Sequence, residues 1–292
     1  MKLLIFAILA TFAFGLITKE INDGAVPIVL FHGYGGACDK CLAKYLGQKL
    51  NVVATCIEPS PIPEDGPIYS KITPINVQGQ RACDMINNNT DFQGEFDLVG
   101  FSQGTIMSRY IIQNCKLNGS VRNFISFGGP LNGQYPPRCG WLDLGCIYTK
   151  YMDGAMAYDD EHQENFAWAS YWRDPAHYQE YLNNSTWLAE ANNEVNYSEA
   201  RRQSMLDLNR ALFIKWDAET TIVPAESSWW GGYDENFNVI DRFHDDVYLE
   251  DLVGIKTLEE EDRALFISIP GKHMEVTFTQ IDEIIIPFIV NH

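Results

Sequence analysis

A serine hydroxyl attacks a carbonyl only when a base takes its proton and a carboxylate orients that base. The chain holds one G-x-S-x-G match at Gly100-Phe101-Ser102-Gln103-Gly104. It stands where a short buried strand at 96–99 meets a helix at 103–115 with Ile106, Met107, Tyr110 and Ile111 at helical spacing. That setting is a nucleophile elbow. Its glycines permit a sharp turn that lifts the Ser102 hydroxyl above a sheet, and the helix N-terminus behind it favours developing negative charge. Of the six histidines, His273 alone follows an apolar strand (264–269) through a Pro270-Gly271-Lys272 turn. His244 lies among Asp241, Asp245 and Asp246 and reads as a surface residue. His32 precedes Gly33-Tyr34-Gly35, where it shapes a turn, and His162, His177 and His292 belong to no constellation. Two carboxylates, Asp217 and Glu219, follow the strand at 211–215. By chemistry either can hold the imidazole tautomer that faces serine. Backbone N–H groups for an oxyanion come from Gln103, directly after the nucleophile, and from Tyr34 in the HGYG turn.

Parallel strands must position these residues. Apolar runs at 26–31, 52–57, 96–99, 124–127, 211–215 and 264–269 alternate with helical patterns, and an amphipathic helix closes the chain at about 278–290. Such alternation predicts an α/β protein whose mostly parallel sheet is covered on both faces. With the elbow and the order Ser, acid, His, it predicts an α/β-hydrolase fold. The Pro-rich stretch 59–74 reads as an irregular loop. Between 130 and 210 the alternation lapses. Residues 141–200 hold 12 aromatics in 60 positions, 20% against 13% for the chain, which predicts an inserted lid or groove subdomain. Most of its aromatics read as core by default, and the segment, with Trp229 and Trp230 beside it, is expected to form part of an apolar groove near Ser102.

Composition narrows the partners and the compartment. With 21 basic and 39 acidic residues in 292 the net charge is −18, so no basic footprint exists for a nucleic acid. Lys2 precedes an apolar run, 3–14, too short to span a bilayer and followed by small residues, so 1–15 reads as a signal peptide and 16–292 as the mature hydrolase domain. No later apolar run is long enough to cross a membrane. Five N-x-S/T sequons begin at Asn88, Asn118, Asn183, Asn184 and Asn196. The seven cysteines lack histidines at zinc-ligand spacing, and in an oxidising compartment they read as up to three disulfides with one left over. No metal site and no organic cofactor is implied.

Taken together the chain resembles the palmitoyl-protein thioesterase family of lysosomal α/β-hydrolases from about Pro27 to its end. The likeness is carried by PIVLFHGYG (27–35), GFSQG (100–104), FISFGGP (124–130), PPRC (136–139), YWRDP (171–175), IVPAESSWWG (222–231) and IPGKH (269–273). The resemblance implies a serine thioesterase without cofactors that removes long-chain acyl groups from S-acylated cysteines of proteins or peptides. Its rivals are an acyl-CoA or short-acyl thioesterase and a lysophospholipase or lipase on the same fold. It implies Ser102 as nucleophile, His273 as base, and Tyr34 and Gln103 as oxyanion donors. Counting back from Pro224 puts Glu219 where the family usually has Asp, with Asp217 the alternative. Tyr34 stands where a Met is common. The implied disulfides are Cys83–Cys115, Cys139–Cys146 and a local Cys38–Cys41, which leaves Cys56 unpaired. Implied glycans fall at Asn184 and Asn196, and the implied destination is the lysosome or the extracellular space.

Overall fold

The computed structural model describes residues 24–38, 40–135 and 154–290. The expected signal peptide and the Cys139–Cys146 pair lie outside these residues. The chain runs β1 (Ile28–Phe31), α1 (Lys40–Leu50), β2 (Ala54–Cys56), α2 (Gly66–Ile72), α3 (Ile75–Asn87), β3 (Glu95–Phe101), α4 (Gln103–Asn114) and β4 (Ser120–Phe127). After short helices between 154 and 206 come β5 (Arg210–Trp216), a two-strand ribbon of β6 (Gly232–Tyr233) and β7 (Val239–Ile240), then β8 (Ala264–Ile269) and a helical run, 278–290.

The main sheet has the order β2-β1-β3-β4-β5-β8, and every pairing in it is parallel. Strands buried on both faces are mostly apolar, which is why short, nearly continuous runs marked them in the sequence. On one face Val29, Phe31, Leu98, Phe124 and Phe213 pack with α3 and α4. On the other Ile28, Leu30, Val99, Ile125 and Trp216 pack with α1 and the C-terminal helical run.

Register decides where the site falls. Chain order reverses between β1 and β3, so their exits diverge around a crevice, the usual ligand site of an open α/β sheet. Phe31 pairs with Gly100 there, which brings the HGYG turn beside the serine elbow. Trp216 pairs with Ile269, which brings the loops after β5 and β8 together. The ladder continues beyond the strands, with Asp217 N–H donating to Ile269 C=O at 2.9 Å and Ala218 N–H to Gly271 C=O at 3.1 Å.

Three expectations need correction. The stretch 59–74 is not irregular: Pro67 opens the first turn of α2, where its missing N–H costs nothing. Cys38 bonds to Cys56 rather than Cys41, at a Cα–Cα distance of 5.5 Å. The register Leu30 to Cys56 carries Cys56 next to the loop leaving β1, whereas Cys41 sits exposed on the first turn of α1. So Cys56 is not the cysteine left over. Cys83 and Cys115 are bonded, joining α3 to the residue after α4. Trp230 is core rather than groove, and Trp229 packs half-buried against that core. Trp230 is fully buried, edge-on to Phe213 and under the Arg109 guanidinium, and Trp229 donates to Phe213 C=O at 3.0 Å.

Among the described residues no helix is long and apolar enough to cross a membrane. The short helices of 154–206 are tied to α4 by Arg109. Its buried guanidinium donates to Leu131 C=O at 2.6 Å and Ala191 C=O at 2.5 Å.

Candidate active site

Ser102 sits between β3 and α4 with φ 53° and ψ −123°, backbone angles that a side chain other than glycine seldom adopts. Two close approaches hold it there. A Cβ on Gly100 would lie 2.5 Å from Gly104 C=O, and one on Gly104 would run into Phe31 C=O of β1. The glycines of the motif therefore let the helix and β1 close on the turn from both sides. Across the crevice, a Cβ on Gly33 would lie 2.9 Å from that of Ser102, so the HGYG turn must also approach without a side chain.

The three expected residues meet. His273 Nε2 lies 2.9 Å from Ser102 Oγ, and its Nδ1 lies 2.6 Å from Glu219 Oε2. The second Glu219 oxygen accepts from Thr221 N–H at 2.7 Å and Ile222 N–H at 3.1 Å. Burial pushes this carboxyl up, but the hydrogen bonds from His273, Thr221 and Ile222 outweigh burial and hold it below its ordinary 4.5. Glu219 therefore stays ionised in mildly acidic solution. Its side chain is 1% exposed. Asp217, two residues earlier, is exposed and continues the strand pairing instead. The imidazole ring meets Trp216 edge-on, with centroids 5.2 Å apart, and the Trp216 indole N–H donates to Glu275 C=O at 3.0 Å. Sequence reading did not single out Trp216 for this position; it ends β5, next to the acid loop.

A cavity of about 290 Å³ opens on Ser102, with Tyr34 and Gln103 on its wall. Gln103 begins α4, so its N–H has no acceptor inside the helix. Trp168, Tyr171 and Trp172 from the 154–206 segment and Ile222 from the acid loop supply the apolar wall. The aromatic-rich segment thus reaches the cavity, though through a different part than Trp229 and Trp230. Tyr171 also donates from its hydroxyl to Gln103 Oε1 at 3.0 Å.

His32 performs the shaping expected of it. Its Nδ1 lies 2.8 Å from Gly33 C=O and its Nε2 2.9 Å from Glu58 Oε2. Burial lowers its pKa, but the bonds to Glu58 and Gly33 more than offset this and raise it above 6.5. His244 is exposed beside Asp241, and His162 and His177 pair with Asp159 and Asp174; none of the three lines the cavity. Among the described residues no cluster of His, Cys, Asp or Glu could hold a metal.

A six-stranded parallel sheet with a serine at its strand–helix elbow, hydrogen-bonded to histidine and through it to a buried carboxylate, defines an enzyme of the α/β-hydrolase class. Residues 27–273 match the family model described as palmitoyl protein thioesterase, and the chain belongs to that family. It is similar to palmitoyl-protein thioesterase 1 of Caenorhabditis elegans, 28% identical over 273 residues that cover 89% of this chain and 90% of that protein. Palmitoyl-protein thioesterase 3 of Dictyostelium discoideum is 27% identical over 255 residues, 85% of each chain. Lysosomal thioesterase PPT2 of Mus musculus is 33% identical over 165 residues, 55% of this chain and 53% of its own.

Proposed function

We propose that the protein hydrolyses long-chain fatty acyl thioesters, removing acyl groups from cysteines of S-acylated proteins or of peptides derived from them. The observation that carries this is the hydrogen-bonded Ser102–His273–Glu219 chain opening into an aromatic-walled cavity in a member of this family. Ser102 Oγ passes its proton to His273 Nε2 and bonds to the thioester carbonyl carbon. The carbonyl oxygen takes the charge, facing the Tyr34 and Gln103 N–H groups. Collapse breaks the carbon–sulfur bond, and the cysteine leaves as a thiol with the proton that His273 returns. Water then gives a proton to His273, attacks the acyl-enzyme and frees the fatty acid, restoring Ser102. Glu219 holds the tautomer that keeps Nε2 unprotonated before each attack and supports the imidazolium after it. No resident cofactor is needed for these steps.

The same proposal sends the chain into the secretory pathway, with 1–15 as its signal peptide and the lysosome or the outside as its destination. The Cys38–Cys56 and Cys83–Cys115 bonds suit an oxidising compartment, and Asn184 and Asn196 are exposed where glycans would need them. An ionised Glu219 keeps the histidine oriented in such a compartment's acid.

Chain length tests the substrate. Each buried methylene contributes about 0.8 kcal/mol, roughly fourfold in kcat/KM while the chain lies inside the cavity. Acyl-CoA and S-acyl peptide series from four to sixteen carbons should therefore rise steeply. A flat series on both would replace this reading with a short-acyl thioesterase, and preference for glycerolipid esters would replace it with a lipase.

A further inference from the structure

Two segments that carry the oxyanion donors, the turn after β1 and the start of α4, converge on one buried residue outside the triad. Ser70, near the end of α2, is 2% exposed. Its Oγ donates to Pro67 C=O at 3.2 Å and accepts from Gly35 N–H at 2.9 Å. A hydroxyl has one proton, and Pro67 takes it, so a lone pair is left to face Gly35. The Ser70 carbonyl in turn accepts from Gln103 Nε2 at 2.8 Å. Since Tyr171 fills the other end of that amide, the Gln103 side chain is held at both ends.

We infer that Ser70 is a positioning residue of the oxyanion site, its side chain fixing the turn that presents Tyr34 and its carbonyl fixing the residue that presents the second donor. This rests on the reading of Ser102 as nucleophile given above. On its far side the turn meets α2 through Ser70 and through Lys71, whose ammonium lies 5.7 Å from the centre of the Tyr34 ring. Gly33 C=O is held by His32 and by Gly36 N–H at 3.0 Å, but Tyr34 itself is 44% exposed and Gly35 has a φ of +67°. Gly35 N–H bonded to Ser70 is the hydrogen bond that ties the far end of the turn to α2 and resists its pivoting away from Ser102. Donors stabilise an oxyanion only if they already stand at its eventual position, so a small drift of this turn costs rate without costing substrate affinity.

Ser70→Ala removes the acceptor for Gly35 and leaves the Gln103 contact, which uses backbone. The rate at which a fluorophosphonate phosphonylates Ser102 should fall about tenfold or more. Hydrolysis of an acyl ester should lose the same factor in kcat with KM within about twofold, counted per folded molecule. Phosphonylation needs the oxyanion donors but no thioester. A slowed reaction beside a flat chain-length series would thus remove the proposed substrate and keep Ser70 in this role. If the alanine variant melts early, Ser70→Thr, which retains the hydroxyl, should recover the phosphonylation rate. Wild-type phosphonylation in folded Ser70→Ala, or a loss in KM alone, would overturn the inference.

Discussion

Ser102→Ala should lose about 10⁶-fold in kcat while folding as the wild type does, because a triad without its nucleophile keeps only binding and oxyanion stabilisation. The hydroxyl is not spread over the surface: Ser102 is 8% exposed and lines the cavity. Its partner is His273, so its loss leaves a half-buried imidazole one bond short rather than a void in the core. The strained turn is unaffected, since alanine and serine meet the same clash at φ 53° and the glycines around it remain. A fluorophosphonate should label the wild type and spare the mutant. Persistent labelling of folded Ser102→Ala would place the nucleophile elsewhere.

The second large effect separates two carboxylates that stand two residues apart. Glu219→Gln keeps the shape and can still accept from Thr221 and Ile222 through its oxygen. That oxygen is then occupied, and the amide NH₂ turns toward His273 Nδ1. A donor there demands an unprotonated Nδ1, which places the ring proton on Nε2, facing Ser102. The histidine is then in the wrong tautomer to act as base, a defect of about 10⁴ in kcat. Asp217→Asn changes an exposed side chain whose backbone alone joins the β5–β8 pairing, so activity should shift by only a few-fold. Steady-state kinetics of both variants decide the matter. The reverse ranking, with both folded, would give the orienting role to Asp217.

Much of this was legible because parallel strands bury both faces. Ile28–Phe31 is apolar without a break, and Ala264–Ile269 is interrupted by Ser268 alone, so both announce themselves. The elbow was legible for a second reason: close backbone approach admits only glycine, so Gly100 and Gly104 record a contact with α4 and β1 that is otherwise invisible in one dimension. Non-local partners left no such trace. Nothing local favours Cys56 over Cys41 for Cys38; the choice follows from β2 lying beside β1. Ser70 lies in a stretch whose prolines read as a loop, and its importance depends on Gly35 and Gln103, 35 and 33 residues away. Trp229 and Trp230 show the opposite hazard. Large aromatics beside a lid read as groove, yet Trp230 is spent against Phe213 and Arg109 in the core.

The separation of Ser102 and His273, 171 residues along the chain, also bears on how the molecule assembles. His273 follows β8, an edge strand that adds to the sheet only through β5. Parallel pairings between distant segments must close long loops before any contact repays that loss of chain freedom, so they form slowly. Helices such as α3 and α4 need no such closure and can form early. The catalytic centre thus assembles only when the last edge of the sheet docks, and nucleophilic reactivity reports the completed fold. In refolding with the disulfides intact, fluorophosphonate reactivity should return after the helical signal. Simultaneous recovery of the two would mean that β8 is already in place in the earliest structured ensemble.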